Sequence, residues 1–464
     1  MSPLRVEADK PDKPPAKPTA FASAAKHVRK LFARLSDANS VAAFVTLAVR
    51  TGGAGVGFLS HIFFARLLGT QGYGLFSFAW TWVIILGTLS HLGLSTSATR
   101  FVAQYVEKHR LRRAQSFTRF ASIFVFLFGC LVAAAFMAVT ALVIGEWYAS
   151  PDFAPLVVAA ACIPVFAMGE MLRGVARGFG WNVLAYSPSF LERPLVIITL
   201  TLLVVVAGVT VRPETLMIIS LVALLTTLGL QWLRIARRTK DTSTGRMHTT
   251  HGRYWLATSA PLVFVDAYYL IISHTDIVIL KAFVSDAEIA VYFAAAKIAA
   301  LVFFFQMAAG SAAARPFAQA HTNGDNGRIA DLSRQFALWS FLPTLACAIF
   351  LVVLGKQVLH LFGPDFTSGY PVLVILLSGL VVQAAIGPVR FAMAMTGLQK
   401  SLSVVMAVSA LANIAMNVVL IPRLGAIGAA VATAISTVGF SITLAVIVRA
   451  RLGFWPWIFA KRRG

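Results

Sequence analysis

Three cations lie where the sequence gives them little polar company. Arg50, Arg193 and Lys297 each sit inside an apolar run long enough to cross a bilayer. A charged side chain at the centre of a spanning helix costs about 2.5–3.5 kcal/mol on insertion scales, so it usually faces a cavity or a partner. A guanidinium fork matches the oxygens of a phosphate, and an ammonium meets the same group as a point charge. Arg50 is flanked by Thr51, Gly52 and Gly53 about ten residues into its run, and Lys297 is about as deep in its own. The alternative for Arg50 is a side chain that snorkels to the interface. Arg193 follows Glu192 and precedes Pro194; the alternative there is an interhelical ion pair made by the adjacent opposite charges.

A second group is acidic and hydroxyl-bearing. Asp266, Tyr269, Ser273 and Asp276 recur at i, i+3, i+7 and i+10. At 100° per residue they fall within an arc of about 80° on one helix, and Ser259 extends the stripe. Such a stripe inside a span argues for a water-filled face that holds a coupling proton or cation, or sugar hydroxyls. Glu192 is a further candidate for that role. The competing reading is ion pairing of the acids with Lys297 or Arg193 for assembly alone. His274 falls roughly 200° around the helix from Asp276 and suits a hydrogen-bonded core residue. Glu170, Arg173 and Arg177, at i, i+3 and i+7, suit a cytoplasmic mouth or an interfacial stripe for anionic lipid. The glycines 52, 53, 55 and 57 lack the Lys-Ser/Thr of a phosphate loop and suit close helix packing or a bend. No metal-ligand spacing, cofactor motif or nucleophile motif appears. The longest outer loop, roughly 356–370 with Lys356, His360 and Asp365, is a poor catalytic platform, so neither an enzyme nor a cofactor is expected.

The elements that position these groups follow from composition. Of 464 residues, 58% are hydrophobic and 12% are charged, and mean hydropathy is +0.79. Soluble domains carry about 25% charged residues, so the chain is expected to be an all-α polytopic membrane protein. Apolar runs near 41–65, 75–98, 117–145, 154–176, 183–209, 213–233, 256–280, 288–314, 335–355, 371–394, 401–421 and 426–448 predict twelve spans. With the N-terminus placed in the cytoplasm, 32 of the 40 Lys and Arg fall in cytoplasmic segments and 5 on the other side. That bias predicts both termini inside and accounts for the net charge of +22 without a nucleic-acid partner. The expected organisation is a basic cytoplasmic tail (1–40), a six-helix bundle (41–233), a cytoplasmic linker (234–255), a second six-helix bundle (256–448) and a cytoplasmic tail (449–464). Residues 26–40 suit a basic amphipathic helix on the membrane. No signal peptide is read at the N-terminus. Cys130, Cys162 and Cys347 are expected to be buried as small hydrophobes.

Two internal matches suggest a repeat. Gly74-Leu75-Phe76 and Ala290-Val291-Tyr292 lie 216 positions apart, and Gly180 and Gly397 lie 217 apart. Six spans per half give both halves the same orientation, hence a parallel repeat around a central cavity. The stretch from Arg66 to Phe76, RLLGTQGYGLF, then resembles the first-loop signature of Wzx-type polysaccharide flippases of the multidrug/oligosaccharidyl-lipid/polysaccharide exporter superfamily. Thr275–Leu280, Ala290-Val291-Tyr292, Ala296-Lys297, Pro316 and the segment Leu424–Ala430 are similar to the same family. The resemblance covers roughly residues 41–450. It implies translocation of an undecaprenyl-diphosphate-linked oligosaccharide from the cytoplasmic to the periplasmic leaflet of a bacterial inner membrane, for exopolysaccharide or lipopolysaccharide. Arg50, Lys297 and Arg193 would then meet the diphosphate. Lipid-linked oligosaccharide, membrane lipids and the polysaccharide polymerase and export machinery are the expected partners. Drug-exporting relatives often carry an acid in the first helix, where this chain has Arg50. A multidrug or cation antiporter on the same fold is the rival, and the cations inside the spans disfavour it.

Overall fold

The computed structural model describes residues 38–144, 153–239 and 252–459, and every regular element among them is helical. Inside hydrocarbon each backbone N–H and C=O has to be satisfied within its own segment, so the apolar runs fold as helices. Among the described residues, ten helices are long and apolar enough to cross a membrane. Two of the ten are double. Ala38–Ser90 breaks at Gly69 (φ 65°, ψ −175°) into α1 (residues 38–68) and α2 (residues 70–90). Gln399–Leu452 breaks at Gly425 (φ 56°, ψ −135°) into α15 (residues 399–424) and α16 (residues 426–452). An unbroken helix of 54 residues would be about 80 Å long, well over twice the hydrocarbon thickness. Each break separates two span-length rods, which brings the described crossings to the twelve that the run lengths predict.

Between these lie α3 (Leu94–Glu107), α4 (Leu111–Ile144), α5 (Phe153–Gly178), α6 (Asn182–Ser187), α7 (Arg193–Val206) and α8 (Pro213–Arg238). The second half holds α9 (Gly252–Ser259), α10 (Val263–Leu280), α11 (Asp286–Thr322), α12 (Asn326–His360), α13 (Tyr370–Ile386) and α14 (Val389–Met395). A π turn over Pro188–Glu192 fuses α6 and α7 into one crossing. The repeat reappears in backbone geometry. Gly180 and Gly397 both turn with left-handed φ, 77° and 78°. Gly208 and Gly425, also 217 apart, do the same at 76° and 56°. Glycine adopts this region without the steric cost that a side chain brings.

The buried apolar residues divide by depth. Phe64, Tyr73 and Phe76 of the first half share one core with Ile277, Tyr292, Phe293, Phe362 and Phe366 of the second. At the other end the halves pack separately. One cluster gathers Phe101, Phe117, Met171 and Leu172, and the other gathers Phe317, Phe336, Met393 and Phe440. Polar clamps reinforce the shared end. Arg66, in the first-loop signature, donates from Nε to the Leu361 carbonyl (2.7 Å) and from Nη2 to the His360 carbonyl (2.9 Å). Within the second half, Glu288 Oε1 accepts the N–H of Ala426 at 2.8 Å, beside the Gly425 break. The two halves are therefore joined at one end and parted at the other, where most arginines lie.

The first turn of the second half belongs to the first. Trp255 on α9 is buried against Phe117 and Phe120 and donates to the Tyr105 hydroxyl at 3.0 Å. A 3-10 turn at Ala260–Leu262 then redirects the chain into α10. Cys130 corrects one expectation: it is exposed on α4 beside Leu127 and Leu131, on a lipid-facing stripe, whereas Cys162 is buried and Cys347 half-buried. The basic tail to residue 37, most of the central linker (240–251) and the last residues from 460 lie outside the described residues. So does most of the amphipathic segment expected over 26–40.

Candidate functional site

Four arginines converge at the parted end of the first half. Arg173 and Arg177 stand on α5, one helical turn apart, and Arg173 pairs with Glu170 on the turn before. Arg173 is within electrostatic reach of Arg177, Arg193 and Arg50. Arg50 on α1 lies over the Tyr186 ring (5.1 Å), and Arg193 on α7 lies over the Phe166 ring (5.4 Å). Arg193 Nη2 also donates to Ser189 Oγ at 3.3 Å. The aromatic faces hold the guanidinium planes and leave their N–H edges to hydrogen-bond. The Nε atoms of Arg50, Arg177 and Arg193 are all buried without a hydrogen-bond partner. A buried donor left unpaired is costly, and acceptors of the kind a multivalent anion carries would relieve that cost.

Local sequence explains the convergence. The left-handed Gly180 turn sends α6 and α7 back antiparallel to α5, which brings Arg193 beside Arg173. Gly53 allows α1 against the π turn, since a Cβ there would come within 2.5 Å of the Phe190 carbonyl oxygen. Of the four glycines in that run, Gly52, Gly55 and Gly57 face open space, so close packing falls on Gly53 alone. Sequence reasoning divided these residues between a diphosphate group and a cytoplasmic mouth; the fold gathers Arg50, Arg173, Arg177, Arg193 and Glu170 into one cluster.

Lys297 is not part of it. Its ammonium lies over the Phe293 ring at 4.6 Å, within electrostatic reach of His61 and His274, in the core that the halves share. Eleven residues of α1 separate Arg50 from His61, a rise of about 16 Å. Arg50 and Lys297 are each about ten residues into a run, but the two runs are entered from opposite ends. Equal counts therefore give unequal depths. His61, which the sequence reading did not single out, joins this group through a 3.1 Å contact between its Nδ1 and the Tyr73 hydroxyl.

The acidic stripe is divided as well. Tyr269, Ser273 and Asp276 line a cavity of about 270 Å³ in the second half, together with Tyr268, Tyr292, Gln383 and Arg390. Asp276 is buried there; it accepts the Tyr292 hydroxyl and its own helix's Ile277 N–H (2.9 Å). Its partner is thus a tyrosine, not Lys297 or Arg193. Asp266 departs from the cavity group: its Oδ2 is buried without a partner, within electrostatic reach of Arg177 of the first half. Ser259 is buried and bonds its own helix at Trp255, because the 3-10 turn breaks the period that carried it onto the stripe. His274, expected to be hydrogen-bonded, has a buried Nδ1 without a partner. Glu192 does not join the stripe; it makes the interhelical ion pair that the sequence offered as the alternative, with Arg234 and not with Arg193. It bridges to Arg234 of α8 at 2.5 Å and accepts from Ser187 at 2.9 Å, since neighbours on a helix point about 100° apart.

The sequence reading did not single out Arg390. The Gly387 turn (φ 83°) and Pro388 rotate α14 inward, so that Arg390 donates to the Tyr269 hydroxyl at 2.5 Å and lies over Phe391. One signal was available: Arg390 stands 217 positions after Arg173, the repeat offset.

Comparison with known proteins accords with this architecture. The polysaccharide biosynthesis protein family model matches residues 42–321. The probable low-salt glycan biosynthesis flippase Agl15 of Haloferax volcanii is 27% identical over 168 residues, 35% of each chain. The chain thus aligns with about a third of the length of that curated relative. Among solved structures, an inward-facing multidrug resistance MATE family transporter of the MOP superfamily superposes with a TM-score of 0.69 at 14% identity, covering 86% of this chain and 94% of that one. The lipid II flippase MurJ, in an inward closed conformation, gives 0.67 at 14% identity over 88% and 87%. With its family match over more than half its length and a MOP-superfamily fold, the chain belongs to the polysaccharide biosynthesis protein family.

Proposed function

We propose that this protein is a flippase that carries a polyprenyl-diphosphate-linked oligosaccharide, with undecaprenyl as the carrier, across a bacterial inner membrane for polysaccharide export. One observation carries the reading: three buried guanidinium Nε atoms without partners, in a cluster of four arginines at the parted end of the molecule. A diphosphate crossing hydrocarbon bare would face a prohibitive desolvation cost. The cluster replaces lost water with guanidinium contacts at the cytoplasmic end, the side on which the charge bias places both termini. Lys297, near His61 and so about 16 Å along α1 from Arg50, is a second cationic station on the way out. The cavity of Tyr269, Ser273 and Asp276 receives the coupling ion or the sugar hydroxyls. Alternating access follows when the shared core and the Arg66 clamp open and the cytoplasmic ends close, with residues 41–233 and 256–448 as the moving bundles. A polymerase and export machinery downstream are the partners of such a step.

Complementation of a flippase-null strain tests this, with membrane protein quantified in parallel. Arg50→Ala and Arg193→Ala should stop polysaccharide export while the protein still reaches the membrane. Full export by both variants would remove the electrostatic mechanism. A cation antiporter on the same fold is the second reading, favoured by the buried Asp276 in an aromatic cavity. It predicts cationic-drug resistance that Asp276→Asn abolishes and Arg50→Ala leaves alone.

A further inference from the structure

A second cavity lies away from the central site, in a groove between α4 and α8. It measures about 310 Å³ and is lined by Gln115, Thr118, Arg119, Leu172, Trp232 and Thr239, among others. This is the arginine-rich end of the molecule, on its outer wall. Arg119 is exposed at the foot of a stripe on α4 that continues with exposed Ile123, Phe126, Leu127 and Leu131. Arg119, Ile123 and Phe126 follow helical spacing and so present one face. Opposite them, Trp232 and Leu225 of α8 are each about half exposed. Gly229 between them has nothing within 4 Å of where a Cβ would sit, which leaves an open slot above the cavity. Arg238 lies over the Trp181 ring at 5.1 Å, and Trp181 stacks on Phe179, another residue of the cavity wall. Among the described residues, Arg119, Arg237 and Arg238 make no ion pair.

The groove therefore has a cationic, hydroxyl-bearing foot with tryptophans beside it and an apolar slot above. That sequence of chemistries matches a bilayer lipid read from headgroup to acyl chain. Tryptophan favours the headgroup level, and arginine supplies forked donors to a phosphodiester. We propose that this groove is a binding site for an anionic phospholipid of the leaflet at the arginine-rich face, with its phosphate on Arg119 and Arg238 and one acyl chain in the Gly229 slot.

The test uses the full chain, purified in mild detergent, delipidated, and given phosphatidylglycerol or phosphatidylcholine with identical acyl chains. Native mass spectrometry reads the adducts, and the thermal unfolding midpoint of lipid-free protein reports folding. Phosphatidylglycerol should be retained in preference to phosphatidylcholine. Arg119→Ala and Arg238→Ala should each weaken its retention about fivefold, the scale of one arginine at an anionic surface. Gly229→Leu should block the slot and lower retention without changing the lipid-free midpoint. Arg112→Ala and Arg113→Ala, on the same helix end but outside the cavity, should retain the lipid. Equal binding of the two lipids, or wild-type retention by Arg119→Ala and Gly229→Leu together, would overturn the site. So would equal losses in the Arg112 and Arg113 variants, which would indicate a diffuse surface field. Displacement of phosphatidylglycerol by an equimolar isoprenyl phosphate would assign the groove to substrate instead.

Discussion

The two halves have the same layout and opposite chemistry. Arg50 in the first half and Asp266 in the second stand 216 positions apart, at the repeat offset, with opposite charge. Arg173 and Arg390 stand 217 apart and keep the same charge, but Arg173 pairs with a carboxylate and Arg390 with the Tyr269 hydroxyl. The first half accordingly gathers four arginines whose only paired carboxylate, among the described residues, is Glu170. The second half encloses an aromatic cavity with one buried acid, Asp276, and one arginine. On the proposed function, a duplicated bundle divides labour: the first half would hold the anion, and the second would be free to hold a cation or hydroxyls. Only a few positions have to differ, because the turns that shape both bundles, at Gly180 and Gly397 and at Gly208 and Gly425, are common to them.

The sharpest way to break this comparison is to empty the cationic half. The double variant Arg50→Ala/Arg193→Ala should lower export by at least about 100-fold, since each lost charge-assisted contact is worth about 1.5–3 kcal/mol. Export assayed against membrane protein level checks it, and a residual above a tenth of wild type would sink the division. Arg50→Lys should retain part of the activity, because the charge stays and the planar fork is lost.

In the other half, Asp276→Asn should reduce transport about tenfold while substrate binding to purified protein is kept, the scale of one charged hydrogen-bonding partner. Equal loss of binding and transport would place Asp276 with the anion site. A smaller effect, about threefold to tenfold, is expected for Arg390→Ala, which removes one hydrogen bond and a stacked cation from the cavity wall. If Arg390→Ala matched Arg50→Ala in severity, the cationic role would be spread over both halves.

The smallest expected effects concern the shared turns. Gly208→Ala meets only the left-handed backbone cost, about 1–2 kcal/mol, because the space around it is open. Gly425→Ala meets that cost and also a clash with the Glu288 carboxylate, which holds the Ala426 N–H and ties α11 to α16 within the second half. Thermal unfolding in detergent should therefore fall further for Gly425→Ala. Equal midpoints would show that the Glu288 contact does not stabilise the junction of α11 with α16.

Much of the architecture was legible because membrane insertion is governed by segment composition. Runs of about 20 apolar residues have to span, so Ala38–Ser90 and Gln399–Leu452 could be read as two crossings each before their glycine breaks were seen. Arg50, Arg193 and Asp276 were singled out because an ionisable group inside a span needs a partner or a cavity. The partners themselves depended on tertiary structure. Side-chain periodicity holds within one unbroken helix, and the 3-10 turn at Ala260–Leu262 took Ser259 off the stripe that the period predicted. Counting inward from each end of a run gave Arg50 and Lys297 the same depth, although antiparallel entry places them at different levels. Arg390 became a cavity residue because Gly387 and Pro388 turn a short helix inward, which composition does not record. The sequence by itself determined which segments cross and which charges need company, because both follow from the cost of polar groups in lipid. Which charges keep company was decided only by how twelve rods pack, because those neighbours lie tens to hundreds of residues apart in the chain.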